Sequence, residues 1–246
     1  METLDSLSMH YLFFSSKSDS AFFYINDFID SAFKRPNPKY LILGYARLGF
    51  YYLNTGHHKA ALEASLKGIH LSQEFLVNDY LSALYYNLAW VYDNMGDLSS
   101  ALTSAFTGLQ MVEQSRDLFI DQQLHLVGMI GNIYLDKNNY DSARYYFNKV
   151  QLLANASKEL AAKDISNWYE GMYFLNTAAY AKADSVLSRG IASCEQNGDF
   201  LLNVFHLFLA QSFFYERKFG NSIQQASKAL AISIAINDLG DAQGAA

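Results

Sequence analysis

The chain holds one cysteine, Cys194, and two prolines, Pro36 and Pro38, among 246 residues. A single cysteine excludes an internal disulfide, so the fold must be held by its apolar interior. The two prolines share one stretch, Arg35-Pro36-Asn37-Pro38, where helices must stop. Basic runs are missing too. Lys and Arg number 18 against 24 Asp and Glu, a net charge of −6. A nucleic-acid surface needs clustered cations to neutralise phosphates, so no nucleic-acid partner is expected for this region.

No stretch approaches the roughly 20 uninterrupted apolar residues of a membrane span. The opening segment METLDSLSMHYLFF has no positive charge before its short apolar run and does not read as a signal peptide. The compartment, cytoplasmic or periplasmic, is left open. The motifs of chemistry are equally scarce. Six histidines are scattered at positions 10, 57, 58, 70, 125 and 206 without HExxH spacing, and the adjacent His57 and His58 fall in a turn where their rings diverge. Neither GxxxxGK[ST] nor GxGxxG occurs. Nothing nominates a carboxylate pair for acid–base work; Glu63, Glu74, Glu113, Glu159 and Asp164 read as solvated outer-face charges. No catalytic residue, no metal and no cofactor is therefore expected, and the chain reads as a non-enzyme.

What the chain does have is a period. Met9, Gly49, Ala89, Gly131, Gly171 and Ala210 are followed, always 12 residues later, by Ala21, Ala61, Ala101, Ala143, Ala183 and Ser222. Steps within the second set are 40, 40, 42, 40 and 39 residues. Self-similarity on this scale marks a stacked array, because one unit cannot bury its apolar face alone. Within a unit the spacing is helical. Tyr85, Leu88, Ala89 and Tyr92 share one face, Asn94-Met95-Gly96-Asp97 breaks the pattern, and Leu98, Ala101, Leu102 and Ala105 resume it. Gly96 suits the left-handed residue that ends a helix, and Asp97 suits the next N-cap. Small residues at the crossing let two backbones approach. The expected helices are about 3–15, 19–34, 39–54, 58–75, 79–95, 98–115, 118–137, 140–155, 160–177, 180–196, 200–216 and 219–236.

These residues resemble the tetratricopeptide repeat (TPR), with its aromatic, Leu-Gly, Tyr, turn, Ala and Phe. The matches are Tyr45, Leu48, Gly49, Tyr52, Gly56 and Ala61, then Tyr85, Leu88, Ala89, Tyr92, Gly96 and Ala101. They continue with Ile130, Gly131, Tyr134, Tyr140, Ala143 and Phe147, with Gly171, Phe174, Tyr180, Ala183 and Leu187, and with Leu209, Ala210, Phe213, Phe219 and Ser222. A weaker leading unit holds Leu12, Ala21, Ile25 and Phe28. Glu170 stands where a leucine is expected. The units exceed the usual 34 residues by about a turn and a half, as in the long repeats of bacterial signalling proteins.

The resemblance implies an all-α, right-handed superhelix of about six helix pairs filling 1–246 as one solenoid. Its units would be about 1–37, 38–77, 78–117, 118–158, 159–198 and 199–237, with a seventh cut short at 238–246. In such arrays the first helix of each pair lines a concave groove. By register that places there Arg47, Phe50, Asn54, Tyr86, Trp90, Asp93, Asn94, His125, Asn132, Asp136, Trp168, Met172, Asn176, Gln211 and Tyr215. Rings supply buried area to an extended peptide, and amides satisfy its backbone. With Arg47 as the one groove cation, a carboxylate clamp is not expected. The functional expectation is a protein- or peptide-binding module, the sensor or docking region of a larger bacterial signalling protein such as a kinase or transcription regulator. The alternative is a constitutive assembly scaffold without a switch. Uncapped ends, with Ile232, Ile236 and Leu239 apolar, would allow homo-oligomers.

Overall fold

The computed structural model describes Ser6 and residues 18–34, 37–114, 120–157, 159–197 and 201–243. Among these residues there are eleven helices and no strand. They are α1 (Ser18–Lys34), α2 (Pro38–Asn54), α3 (His58–Phe75), α4 (Leu81–Asn94), α5 (Leu98–Gln114), α6 (Ile120–Asp136), α7 (Tyr140–Ala156), α8 (Leu160–Asn176), α9 (Tyr180–Asn197), α10 (Leu202–Tyr215) and α11 (Phe219–Gln243). The expected helix at 3–15 lies outside the described residues, as does Met9.

Five antiparallel pairs, α2–α3 through α10–α11, follow one another, with α1 packed on the first. Each second helix packs on the next first helix, and successive first helices α2, α4, α6, α8 and α10 also touch in turn. First helices therefore form the inner layer of an α-solenoid, while second helices fan outward.

Every pair turns in the same way. Gly56, Gly96, Asn138, Ala178 and Arg217 occupy matching positions, all with φ between 55° and 77°. In the second turn Gly96 N–H donates to Asp93 O at 2.9 Å and Asp97 N–H to Tyr92 O at 2.9 Å. The last turn repeats this with Arg217 to Phe214 O at 3.0 Å and Lys218 to Phe213 O at 2.8 Å. These bonds occupy carbonyls that a helix end leaves open, and they require one left-handed residue. A Cβ there costs about 1 kcal/mol or more. Hence Arg217→Gly, at an exposed site, is expected to stabilise the array by about 0.5 kcal/mol, checked as a higher denaturant midpoint. Side chains close the other end of the turns: Asp97 Oδ1 accepts from Ser100 N–H at 3.1 Å and Asn139 Oδ1 from Ser142 N–H at 3.1 Å. The Ser100 bonds hold the Asp97 carboxyl below its ordinary range.

The core runs through the array where the paired helices cross, and size is exchanged across that crossing. Sixteen residues after Gly131 stands Phe147, 5% exposed, and a Cβ on Gly131 would lie 2.5 Å from its Cε1. Likewise a Cβ on Gly171 would meet Leu187 Cδ2 at 2.5 Å, and one on Gly49 would meet Ser65 Oγ at 2.7 Å. In the second pair the small residue is Ala89, and its counterpart is another alanine, Ala105, both fully buried. Glycine on the first helix thus makes room for bulk on the second, and two alanines fill the same space.

Three sequence expectations change. Asp164, expected on the outer face, is fully buried in α8. One repeat earlier, 40 residues back, stands buried Leu124, and 42 before that buried Ser82, so Asp164 belongs to a column that the packing of the first helices covers. Glu170, standing where the repeat pattern has a leucine, is not packed like one: its carboxylate sits between Arg189 of α9 at 3.7 Å and Arg144 of α7 at 4.0 Å. The expected break before Asp238 is missing, since α11 continues to Gln243. That stretch has no proline, and one glycine, Gly240, costs about 1 kcal/mol, too little to halt an established helix.

Candidate functional site

The inner helices present two kinds of side chain side by side. The first is a run of rings through the N-terminal half. Phe50 of α2 and Trp90 of α4 meet edge-on with centroids 5.9 Å apart, and Tyr86 lies 6.1 Å from Trp90. Tyr86 then meets His125 of α6 at 5.9 Å. One aromatic wall therefore spans three helix pairs, and such edge contacts add about 0.5–1.5 kcal/mol each beyond area burial. Trp90, Tyr86, Phe50 and His125 are half-buried. Burial raises the Tyr86 hydroxyl far above its ordinary range.

The second kind is amide and carboxylate. Asn54 and Asn176 are exposed, and each donates Nδ2–H to the carbonyl one turn back, Phe50 O and Met172 O, both at 2.9 Å. Each keeps its oxygen and a second N–H for other bonds. Asn94 is exposed at the matching place on α4. Asn132 is committed differently: its Nδ2 donates to Asp93 Oδ2 at 3.1 Å and to Asp136 Oδ2 at 3.3 Å. Burial, followed by the charge of Asp136, pushes the Asp93 carboxyl up to about 7, and burial also raises Asp136. The repeat step between these two units is 42 residues, not the 39 that separate Asp93 from Asn132, so no periodicity in the sequence signalled this bridge.

The C-terminal half is separate. Trp168 stacks on Tyr169 at 4.9 Å, and its indole N–H is shielded from solvent with no hydrogen-bond partner among the described residues. Met172 is half-buried beside it in the same core cluster. Gln211 Nε2 donates to the Tyr215 hydroxyl at 3.3 Å, and Tyr215 stacks on Tyr180 at 5.6 Å. Arg47 is half-buried in α2. The named residues thus form an aromatic wall, an Asn132-centred acid cluster, and two smaller groups around Trp168 and Tyr215. At the C-terminal end Ile232 is half-buried, and the side chains of Ile236 and Leu239 lie outside the described residues.

No group of His, Cys, Asp and Glu among the described residues is arranged to hold a metal ion. Cys194 is fully buried, and buried His206 bonds Gln225 Oε1 at 2.7 Å. No helix among the described residues is long and apolar enough to cross a membrane.

Residues 82–104 and 124–157 match the tetratricopeptide repeat. Those two stretches carry the TPR pattern. No curated protein matches it significantly in sequence. Among solved structures it resembles the apo form of RapI, with a TM-score of 0.72 at 16% identity, over 96% of this chain and 82% of RapI. It also resembles NprR in complex with its cognate peptide NprX, TM-score 0.71 at 14% identity, over 94% of this chain and 64% of NprR. A third is a STAND protein with a tetratricopeptide repeat sensor from Pyrococcus horikoshii, TM-score 0.58 at 14% identity, over 92% of this chain and 42% of that protein. At these identities the likeness is one of fold, shared along nearly the whole of this TPR array.

Proposed function

We propose that this TPR array is a non-catalytic binding module whose inner face takes an extended peptide or protein segment. We place it as the sensor or docking region of a larger bacterial signalling protein. The observation that carries this reading is the half-buried ring run Phe50, Trp90, Tyr86 and His125. Alongside it stand exposed Asn54, Asn94 and Asn176, the first and last with an amide oxygen and a second N–H still open. A wall of rings contributes apolar area independent of peptide sequence, and amides can bond the peptide backbone. NprR, solved with a peptide, shares the fold, which supports the reading by analogy.

A random-sequence peptide library displayed on phage and panned against the protein tests this. Selected peptides should bind the parent in calorimetric titration. Trp90→Ala should weaken them by about 30-fold, the loss of one central anchor. Peptides that bind Trp90→Ala as tightly as the parent would place the binding surface elsewhere. The scaffold alternative predicts no change of scattering radius when such a peptide is added, whereas a sensor whose superhelix tightens should contract.

A further inference from the structure

The hydrogen bonds joining Asp93, Asn132 and Asp136 connect two successive helix pairs, α4–α5 and α6–α7, at their inner edge. Asn132 has one amide nitrogen, and it spends it on both carboxylates at once. Asp93 Oδ1 is shielded from solvent and finds no N–H or hydroxyl donor. The same amide nitrogen reaches Oδ2 of both carboxyls, so the two acid groups lie side by side, where one proton between them would replace repulsion by a hydrogen bond.

Among the described residues neither carboxyl forms an ion pair: His58 opens α3, and Arg144 of α7, which packs on α6, is drawn to Glu170 at 4.0 Å. Asp136 of α6 supplies the charge that acts on Asp93. The α2 residue level with Asp93 is Leu53, 40 positions earlier, and Arg47 sits nearly two turns before it. On α3, Lys59 and Glu63 pair with each other on an exposed face at 4.0 Å. Along α5 the one ionisable residue is Glu113, at its far end.

We propose that Asp93, Asn132 and Asp136 form a proton-operated latch between the α4–α5 and α6–α7 pairs, closed while the carboxyls share a proton and released when both ionise. Asp136 is exposed and Asp93 half-buried; two adjacent carboxylates cannot both be charged there without repulsion, and one amide cannot hold them together against it. Because a solenoid's curvature is the sum of rotations between neighbouring pairs, release at this joint opens the inner face beside Trp90. That consequence for ligand access rests on the proposed function; the latch itself does not.

The sign follows from the raised carboxyl. Asp93 binds its proton more tightly folded than unfolded, so stability is greatest below the unfolded carboxylate range and falls as pH rises toward about 7. The experiment needs no ligand, so its failure is distinct from failure of the peptide-binding reading. With Trp168→Phe as background, Trp90, three residues before Asp93, is the single indole reporter. Its emission should titrate near neutral pH, and Tm should drop by about 4 °C or more from pH ~5.5 to ~8. Asp93→Asn and Asp136→Asn should each abolish the emission titration and flatten the Tm slope. Asp184→Asn should leave the titration intact, since that carboxyl, also raised by burial, lies on α9. A parent with no titration, or a titration surviving both asparagine variants, overturns the latch.

Discussion

Phe147→Ala is expected to lower the stability of the array by about 3–5 kcal/mol, more than any single groove substitution. Phe147 is 5% exposed and touches three things at once. Within its own pair it fills the space left by Gly131. Toward the next pair it stacks on Tyr169 at 5.4 Å and meets Tyr173 edge-on at 6.2 Å. Removing the ring therefore opens a cavity and weakens the joint between α6–α7 and α8–α9. In an array whose stability is a sum of unit and interface terms, a weakened interface uncouples its two sides. Guanidinium denaturation of the variant should start at a lower midpoint and become broader than the parent's. Gly131→Ala should also destabilise, but the double variant should be better than the sum of the two, because alanine opposite alanine is the arrangement already found at Ala89 and Ala105. Strict additivity would show that the size exchange between these positions is incidental.

Gly190→Leu should cost about 2 kcal/mol net, for the opposite reason. Gly190 of α9 faces Phe205 of α10, and even a Cβ added there would overlap the ring. Phe205 is fully buried, so it has no solvent to turn into. A leucine must push α9 and α10 apart, at a cost of about 3 kcal/mol for overpacking, only partly offset by the gain of about 1 kcal/mol from removing a helical glycine. The measurement is again the denaturant midpoint. Gly190→Leu combined with Phe205→Ala should recover part of the loss. A Gly190→Leu protein as stable as the parent would mean that α9 and α10 slide freely, contrary to a packed joint.

Much of this architecture was legible because helices and crossings obey a period that residues must respect. The small residues 12 apart located the crossings, and apolar spacing located helices such as α3 at His58–Phe75 within a residue or so. Where the logic used one residue type as a sign, it failed as soon as another residue could do the job. Gly56 and Gly96 announced left-handed turns, but Ala178 and Arg217 make the same turn, their strain offset by the packing of the helices they join. Glu170 looked wrong for a buried row until Arg144 and Arg189 were seen beside it. Asp164 looked solvated because a lone aspartate on a helix usually is.

The inner face shows the same division. Register alone put Phe50, Tyr86, Trp90 and His125 on one side of the first helices. It could not show that their rings touch in a line, since that depends on the rotation between successive pairs. Nor could it show that Asn132 is spent on two carboxyls rather than left open to a ligand. By itself the chain determined the helical period, the crossings and the inner row of side chains, because these follow from local spacing and steric limits. Tertiary structure alone decided which of those side chains meet across 39 residues of sequence, because that depends on how each helix pair is turned against the next.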